Sequence, residues 1–254
     1  MLVTRPAAEA GRWVRELAAR GIDARTLPLI DIVPAPLQGE LAEVRAQLGR
    51  CHAAMFVSGN AVRGFLGGDA ALPALHALAT RAWSPGPGTT AALRAAGWPA
   101  ERIDEPAPDA PQFDSEALWA RVHAQATPGR SVLLVRGGDA AGRAAGRDWL
   151  AAQLRAAGVE VRQVVAYRRV PPPLGAAQAA QAAQAVDEGR VWLLSSAEAV
   201  ANLRQGLPAL DLSRARALAT HPRIAQAARA AGFGAVHAAQ PTPDAVAEAL
   251  ASIK

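Results

Sequence analysis

Two hydrophobic rhythms alternate along this chain. Short apolar runs predict buried strands at Leu2-Val-Thr4, Ala53-Ala-Met-Phe-Val57, Arg81 to Ser84, Ser131-Val-Leu-Leu-Val135, Val191-Trp-Leu-Leu194 and Ala215 to Ala219. Helical spacing follows most of them: Ala7 to Arg20 places Trp13, Val14 and Leu17 on one face. Further helices are expected over Leu41 to Leu48, from Ala61, over Leu72 to Leu78, from Asp114-Ser115-Glu116 through Leu118 and Val122, over Trp149 to Ala157, over Ala176 to Val186, and from Ala199. Gly21, Gly97 and Gly158 stand where helices close, and Thr242 before Pro243 is the expected cap of a last helix. Ile22 to Val33 and Val159 to Val170 are loosely alternating extended runs, ending in Pro34-Ala-Pro36 and Pro171-Pro-Pro173. Glu101 to Asp114, acidic and proline-rich, reads as a solvated loop. Strands alternating with helices imply an α/β fold with parallel sheets.

The order of elements repeats. Val3-Thr-Arg5 echoes Leu134-Val-Arg136, Gly21-Ile-Asp-Ala-Arg25 echoes Gly158-Val-Glu-Val-Arg162, and Phe56-Val-Ser58 echoes Leu194-Ser-Ser196. Trp83 to Trp98, with its Gly86-Pro-Gly-Thr89 loop, returns as Ala219 to Phe233. Two similar α/β halves are therefore expected. In open parallel sheets ligands bind at the carboxyl ends of the strands, where the Ser58, Thr89 and Arg136 loops and their repeats lie.

Composition narrows the classes. The chain has 254 residues, 51% hydrophobic and 19% charged, a globular balance with room for two cores. No apolar run reaches the roughly 20 residues of a membrane span. The first residues lack a signal-peptide layout, and Cys51 is the single cysteine, so a soluble cytoplasmic protein is expected. The net charge of +5 favours anionic partners. Without basic runs or a stacking surface, nucleic acid is not expected among them.

Candidate chemistry centres on anion binding. The Gly86 loop opens a helix whose unpaired N–H groups can face an anion. Gly86-Pro-Gly-Thr-Thr-Ala91 also fits a dinucleotide pattern, with Asp104 or Glu105 downstream. Against that reading, the proline between the glycines removes an N–H that would face the pyrophosphate. The five histidines are scattered without metal-ligand spacing, and no Gly-x-Ser-x-Gly elbow is present. Tyr167, the single tyrosine, is either a packing residue or a proton donor facing a cleft, and Arg168-Arg169 reads as a solvated strand edge. Ser58, Ser195 and Ser196 fit both helix caps and anion ligands.

Together these residues resemble the uroporphyrinogen-III synthase family. The resemblance is carried by Val3-Thr-Arg-Pro6, Pro28-Leu-Ile30, Phe56-Val-Ser-Gly-Asn-Ala-Val62, Gly86-Pro-Gly-Thr89, Val135-Arg-Gly137, Val165-Ala-Tyr167, Ser195-Ser196 with Ala199-Val200, and Pro241-Thr-Pro243, in order over almost the whole chain. It implies closure of the linear tetrapyrrole hydroxymethylbilane with inversion of ring D and loss of water, without metal or organic cofactor. It further implies two flavodoxin-like domains joined by a two-stranded extended connector, with the site in the cleft between them. Residues 1–34 and 172–254 would form one domain and 37–168 the other, with 34–37 and 168–173 as connectors. The substrate is carboxylate-rich, and the implied binding residues are Arg5, Ser58, Asn60, Gly86, Gly88, Thr89, Arg136, Ser195, Ser196, His221 and Arg223. Tyr167 is the implied proton donor. A cytoplasmic monomer with no nucleic-acid or membrane partner is expected. Two departures stand out: Val57 where the family usually has threonine, and His221-Pro-Arg-Ile224 where a Gly-Pro-Thr-like run is common. A two-domain protein that closes on an anionic ligand without chemistry is the alternative.

Overall fold

The structure is a computed structural model that describes residues 1–67, 74–110, 112–146 and 148–253. The chain divides into two compact units, Met1–Asp31 with Val170–Lys254 and Ile32–Arg169.

The first unit opens with β1 (Leu2–Val3), α1 (Ala7–Ala18) and β2 (Arg25–Thr26). The second unit then runs β3 (Asp31–Pro34), α2 (Glu40–Ala46), β4 (Ala53–Phe56), α3 (Gly59–Leu66), β5 (Arg81–Trp83), α4 (Pro87–Ala95), β6 (Ile103–Asp104), α5 (Ser115–Val122), β7 (Ser131–Gly138), α6 (Trp149–Ala156) and β8 (Glu160–Val170). The chain returns to the first unit through α7 (Ala176–Asp187), β9 (Val191–Leu194), α8 (Ala197–Gly206), β10 (Arg216–Ala219), α9 (Pro222–Ala230), β11 (Ala235–Ala238) and α10 (Pro243–Ser252). The expected helix over Leu72 to Leu78 is a single 3-10 turn at Leu75–Ala77, with Leu72 and Pro73 outside the described residues. Pro34, Ala35 and Pro36 lie within the second unit, where the Ala35 N–H donates to the Ala166 carbonyl at 3.0 Å.

Strand order explains the repeat. The first sheet runs β11-β10-β9-β1-β2, with all pairings parallel. Numbered within its unit this is the flavodoxin-like order 2-1-3-4-5. The second sheet runs β3-β8-β7-β4-β5-β6. It has the same order, with β7 and β8 as the leading pair and β4, β5 and β6 as the trailing three, plus β3 at its edge. Its pairings from β8 to β6 are parallel. In sequence the trailing three strands come first, so the second unit is a permuted copy of the first.

Apolar strand residues feed two faces. Phe56 packs with Val62, Phe65, Leu93 and Trp98 on one side of the second sheet, while Met55 packs with Trp83, Leu118, Leu134 and Leu154 on the other. Phe56 meets Phe65 and Trp98 edge-on at ring separations of 5.8 and 5.7 Å, geometries that suit aromatic quadrupoles. Phe233, the counterpart of Trp98, meets Trp192 edge-on at 5.7 Å in the first unit. Both aromatics follow helix-closing glycines in the left-handed region, Gly97 at φ +84° and Gly232 at φ +92°.

Two strands escape the hydrophobic pattern. The expected loop from Glu101 to Asp114 contains β6, and no strand is expected where β11 forms. Both are edge strands, completed by main-chain pairing to β5 and β10.

Candidate functional site

In each sheet the strand order reverses between the leading and trailing groups, at β7/β4 in the second unit and β1/β9 in the first. Chains leaving such a point diverge to opposite faces and leave a crevice at the carboxyl ends of the strands.

At the β7/β4 point Ser58 caps α3. Its backbone is extended, and its Oγ accepts the Ala61 N–H at 3.2 Å. Its hydroxyl donates to the Tyr167 Oη at 3.3 Å, a long and weak bond. Tyr167 arrives through a bulge in β8: Arg136 pairs with Val165, but Gly137 pairs with Tyr167, so Ala166 is the extra residue. A bulge shifts the in–out alternation by one, which keeps Tyr167 on the core side with Val164 and Ala166. The ring then lies over Gly137, where a Cβ would stand 2.4 Å from Cζ and 2.6 Å from Oη. Gly64 makes the same allowance for the bulged residue, since a Cβ there would stand 2.2 Å from the Ala166 carbonyl oxygen. Tyr167 is buried but for 6% of its surface. Ser58 and Tyr167 are thus brought together from positions 109 residues apart.

The Gly/Pro loop is less open than its sequence suggests. Buried Ser84 donates to the Gly86 carbonyl at 2.8 Å and accepts the Gly86 N–H at 3.3 Å. Thr90 reaches the Ser84 Oγ at 2.9 Å and Glu105 at 2.6 Å, and the Thr89 N–H returns to the Gly86 carbonyl at 3.0 Å. Among the described residues the Gly88 N–H has no backbone acceptor. The expected N–H-rich loop therefore narrows to Gly88 and the buried Thr89, with Gly86 engaged as a structural residue beneath Phe113. In the sequence nothing marks Ser84, Thr90 and Glu105 for this role except a serine directly before the loop. The dinucleotide pattern fails on its acids too. Asp104 holds Arg81 through two hydrogen bonds of 2.6 and 2.8 Å, and Glu105 holds Thr90. That bidentate grip raises the Arg81 pKa above its ordinary value.

Two other expected binding residues are engaged within the second unit. Arg136 is buried, ion-paired with Asp148 and bonded to Gln163 Oε1 at 2.6 Å. Asn60 accepts from Arg63 at 2.6 Å on the exposed face of α3.

In the first unit Arg5 folds back on α1, 3.1 Å from Glu9 and 4.5 Å above the Trp13 ring. Ser196 precedes α8 without a side-chain cap bond, unlike Ser58, and Ser195 beside it is half-buried. His221 caps α9, its Nδ1 accepting the Arg223 N–H at 3.1 Å, while the Arg223 side chain is exposed. Thr220, His221, Arg229 and Gln240 line a cavity of about 540 Å³ at the ends of β10 and β11. Ile224 is buried in the core, which accounts locally for the apolar departure in this loop. Among the described residues no three His, Cys, Asp or Glu side chains group as a metal site, and no helix is long and apolar enough to cross a membrane.

The family model for uroporphyrinogen-III synthase HemD matches residues 11–248. Among solved structures, uroporphyrinogen-III synthetase from Helicobacter pylori superposes with a TM-score of 0.60 at 16% identity, over 91% of this chain and 93% of that one. A mutant uroporphyrinogen III synthase from the extremely thermophilic bacterium Thermus thermophilus gives a TM-score of 0.50 at 18% identity, over 99% and 97% of the two chains. At such identities the superpositions establish the fold, and the family model establishes the kinship. The chain belongs to the uroporphyrinogen-III synthase family.

Proposed function

We propose that Tyr167, positioned by Ser58 and Gly137, assists departure of the hydroxyl when this cyclising lyase closes hydroxymethylbilane to uroporphyrinogen III. The observation that carries the assignment is the Ser58–Tyr167 contact at the β7/β4 reversal. Because Ser58 donates into the phenol oxygen, the phenol's own proton is left to point at a leaving group. The departing hydroxyl takes that proton and leaves as water. The remaining azafulvene is attacked by ring D to give a spiro intermediate, which fragments and recloses on the inverted ring. Most of this work is holding a flexible chain in one folded pose.

Carboxylates of the substrate are received in the second unit by the Gly88 N–H and Thr89, and in the first by Ser195, Ser196 and Arg223. In support, the Ser196 hydroxyl is not spent on capping and the Arg223 side chain is exposed. Arg5, Asn60, Gly86, Arg136 and His221 act by holding their loops, since each is engaged within its own unit. The two units serve as the two domains of the enzyme, which works as a monomer in the cytoplasm; the single cysteine supports a reducing compartment.

Tyr167→Phe should retain the urea midpoint of the parent within experimental scatter, because its one side-chain hydrogen bond among the described residues is weak. Formation of the type III isomer from freshly made hydroxymethylbilane should slow by about tenfold, a modest loss because the carboxylate-holding loops remain. An unchanged rate would remove Tyr167 from the mechanism.

A further inference from the structure

A cavity of about 480 Å³ lies beside β8 and the segment that follows β3, with Ala35, Pro36, Gly142, Gln163, Val165 and Arg168 among the residues around it. That volume is within the usual range for small-molecule sites. The chemistry assigned to Ser58 and Tyr167 does not use it.

The bulge that turns Tyr167 toward the core also sets Arg168 in this cavity. Gln163, Val164 and Val165 all line it, and with Ala166 as the extra residue Arg168 falls on the same face of β8 as Gln163 and Val165. The Arg168 stem rests at Gly142, its Cδ 3.7 Å from where a Cβ would stand. Among the described residues its guanidinium has no hydrogen bond or ion pair, and its Nε is buried without a partner. Arg136 on the neighbouring strand is the contrast, with Asp148 and Gln163 as partners. Because Gln163 meets Arg136 through Oε1, its amide NH2 remains as a second donor beside the cavity. An unpaired arginine and an amide donor around one cavity match a planar anion that takes two parallel hydrogen bonds. Glu40 also lines the cavity, exposed, and makes no ion pair with Arg168.

We propose that this cavity binds a carboxylate, held side-on by Arg168 with the Gln163 amide as second donor. The carboxylate belongs either to the tetrapyrrole, in which case the proposal rests on the ring-closure reading, or to a separate small acid. Calorimetric titration of the full chain with citrate at constant ionic strength tests the shared chemistry, and steady-state ring closure separates the sources. Arg168→Gln should weaken citrate binding by about tenfold, Arg168→Lys should recover part of the loss, and Glu40→Gln should tighten binding by about threefold as a like charge is removed. If the acid belongs to the tetrapyrrole, Arg168→Gln raises KM by about tenfold at unchanged kcat. If the acid is separate, KM stays at the parent value while citrate binding is lost. Unchanged citrate affinity together with unchanged KM overturns the proposal. Should Arg168→Gln fail to fold, Glu40→Gln decides, and citrate affinity that does not rise overturns it. A parent protein that accelerates no ring closure would sink the enzymatic reading alone, since the citrate titration stands without it.

Discussion

At the scale of single residues, Gly137 decides where the candidate proton donor sits. A methyl group there would overlap the Tyr167 ring at 2.4 Å, and the ring cannot swing freely because it is packed in the core. Gly137→Ala should therefore destabilise the second unit by about 1–3 kcal/mol through overpacking. It should also lower kcat to the level of Tyr167→Phe, and the double variant should be no slower than either alone. Additive losses in the double variant would show that Gly137 acts on something other than Tyr167. None of this is visible from Gly137 in isolation, because the sequence shows a glycine after an arginine and not the ring that needs the space. The arginines make the same point. In the sequence Arg136 reads as an anion ligand at a strand end and Arg168 as a solvated strand edge, yet the first is consumed by Asp148 and Gln163 and the second has no partner among the described residues.

At the scale of elements, helix starts and stops were legible and edge strands were not. Asp114 and Thr242 cap α5 and α10 as their types and positions imply, accepting N–H groups at 2.8 and 3.3 Å. Gly97 and Gly232 close α4 and α9 with positive φ, and a Cβ at either would meet nothing within 4 Å. The cost of alanine there is torsional alone, so Gly97→Ala and Gly232→Ala should each lose about 1 kcal/mol or more, read as a lowered urea midpoint at unchanged slope. Equal midpoints would mean that the chain ends these helices without needing the left-handed residue. The strands β6 and β11 carry no comparable local signal. Ile103–Asp104 is too short for alternation, and Ala235–Ala238 is partly exposed. Their backbone pairing to β5 and β10 makes them strands, and a partner strand is not a local property of sequence.

At the scale of the whole molecule, stability carries a pH dependence to which one histidine contributes. Burial, and then the Arg130 guanidinium, hold the His52 imidazole below its ordinary pKa of 6.5. The unfolded chain takes up this proton more readily than the folded one, so the contribution is present above the ordinary value and is lost as pH falls through the lowered one. Urea midpoints of the parent should drop between about pH 8 and about pH 5 by more than those of His52→Gln, and identical drops would exclude His52 as a cause. The sequence by itself determined the alternation of strands and helices, the internal repeat and the family, because periodicity, turn residues and ordered motifs are written along the chain. Tertiary structure decided the rest. It set the flavodoxin-like strand order in both sheets and the bulge that aims Tyr167 and Arg168 to opposite sides of β8. It also brought Ser58 to Tyr167, and it spent Arg5, Asn60, Arg136 and His221 on local partners. The reason is physical: a polar side chain is available to a ligand only when no nearer group satisfies it, and nearness across a sheet is settled by packing.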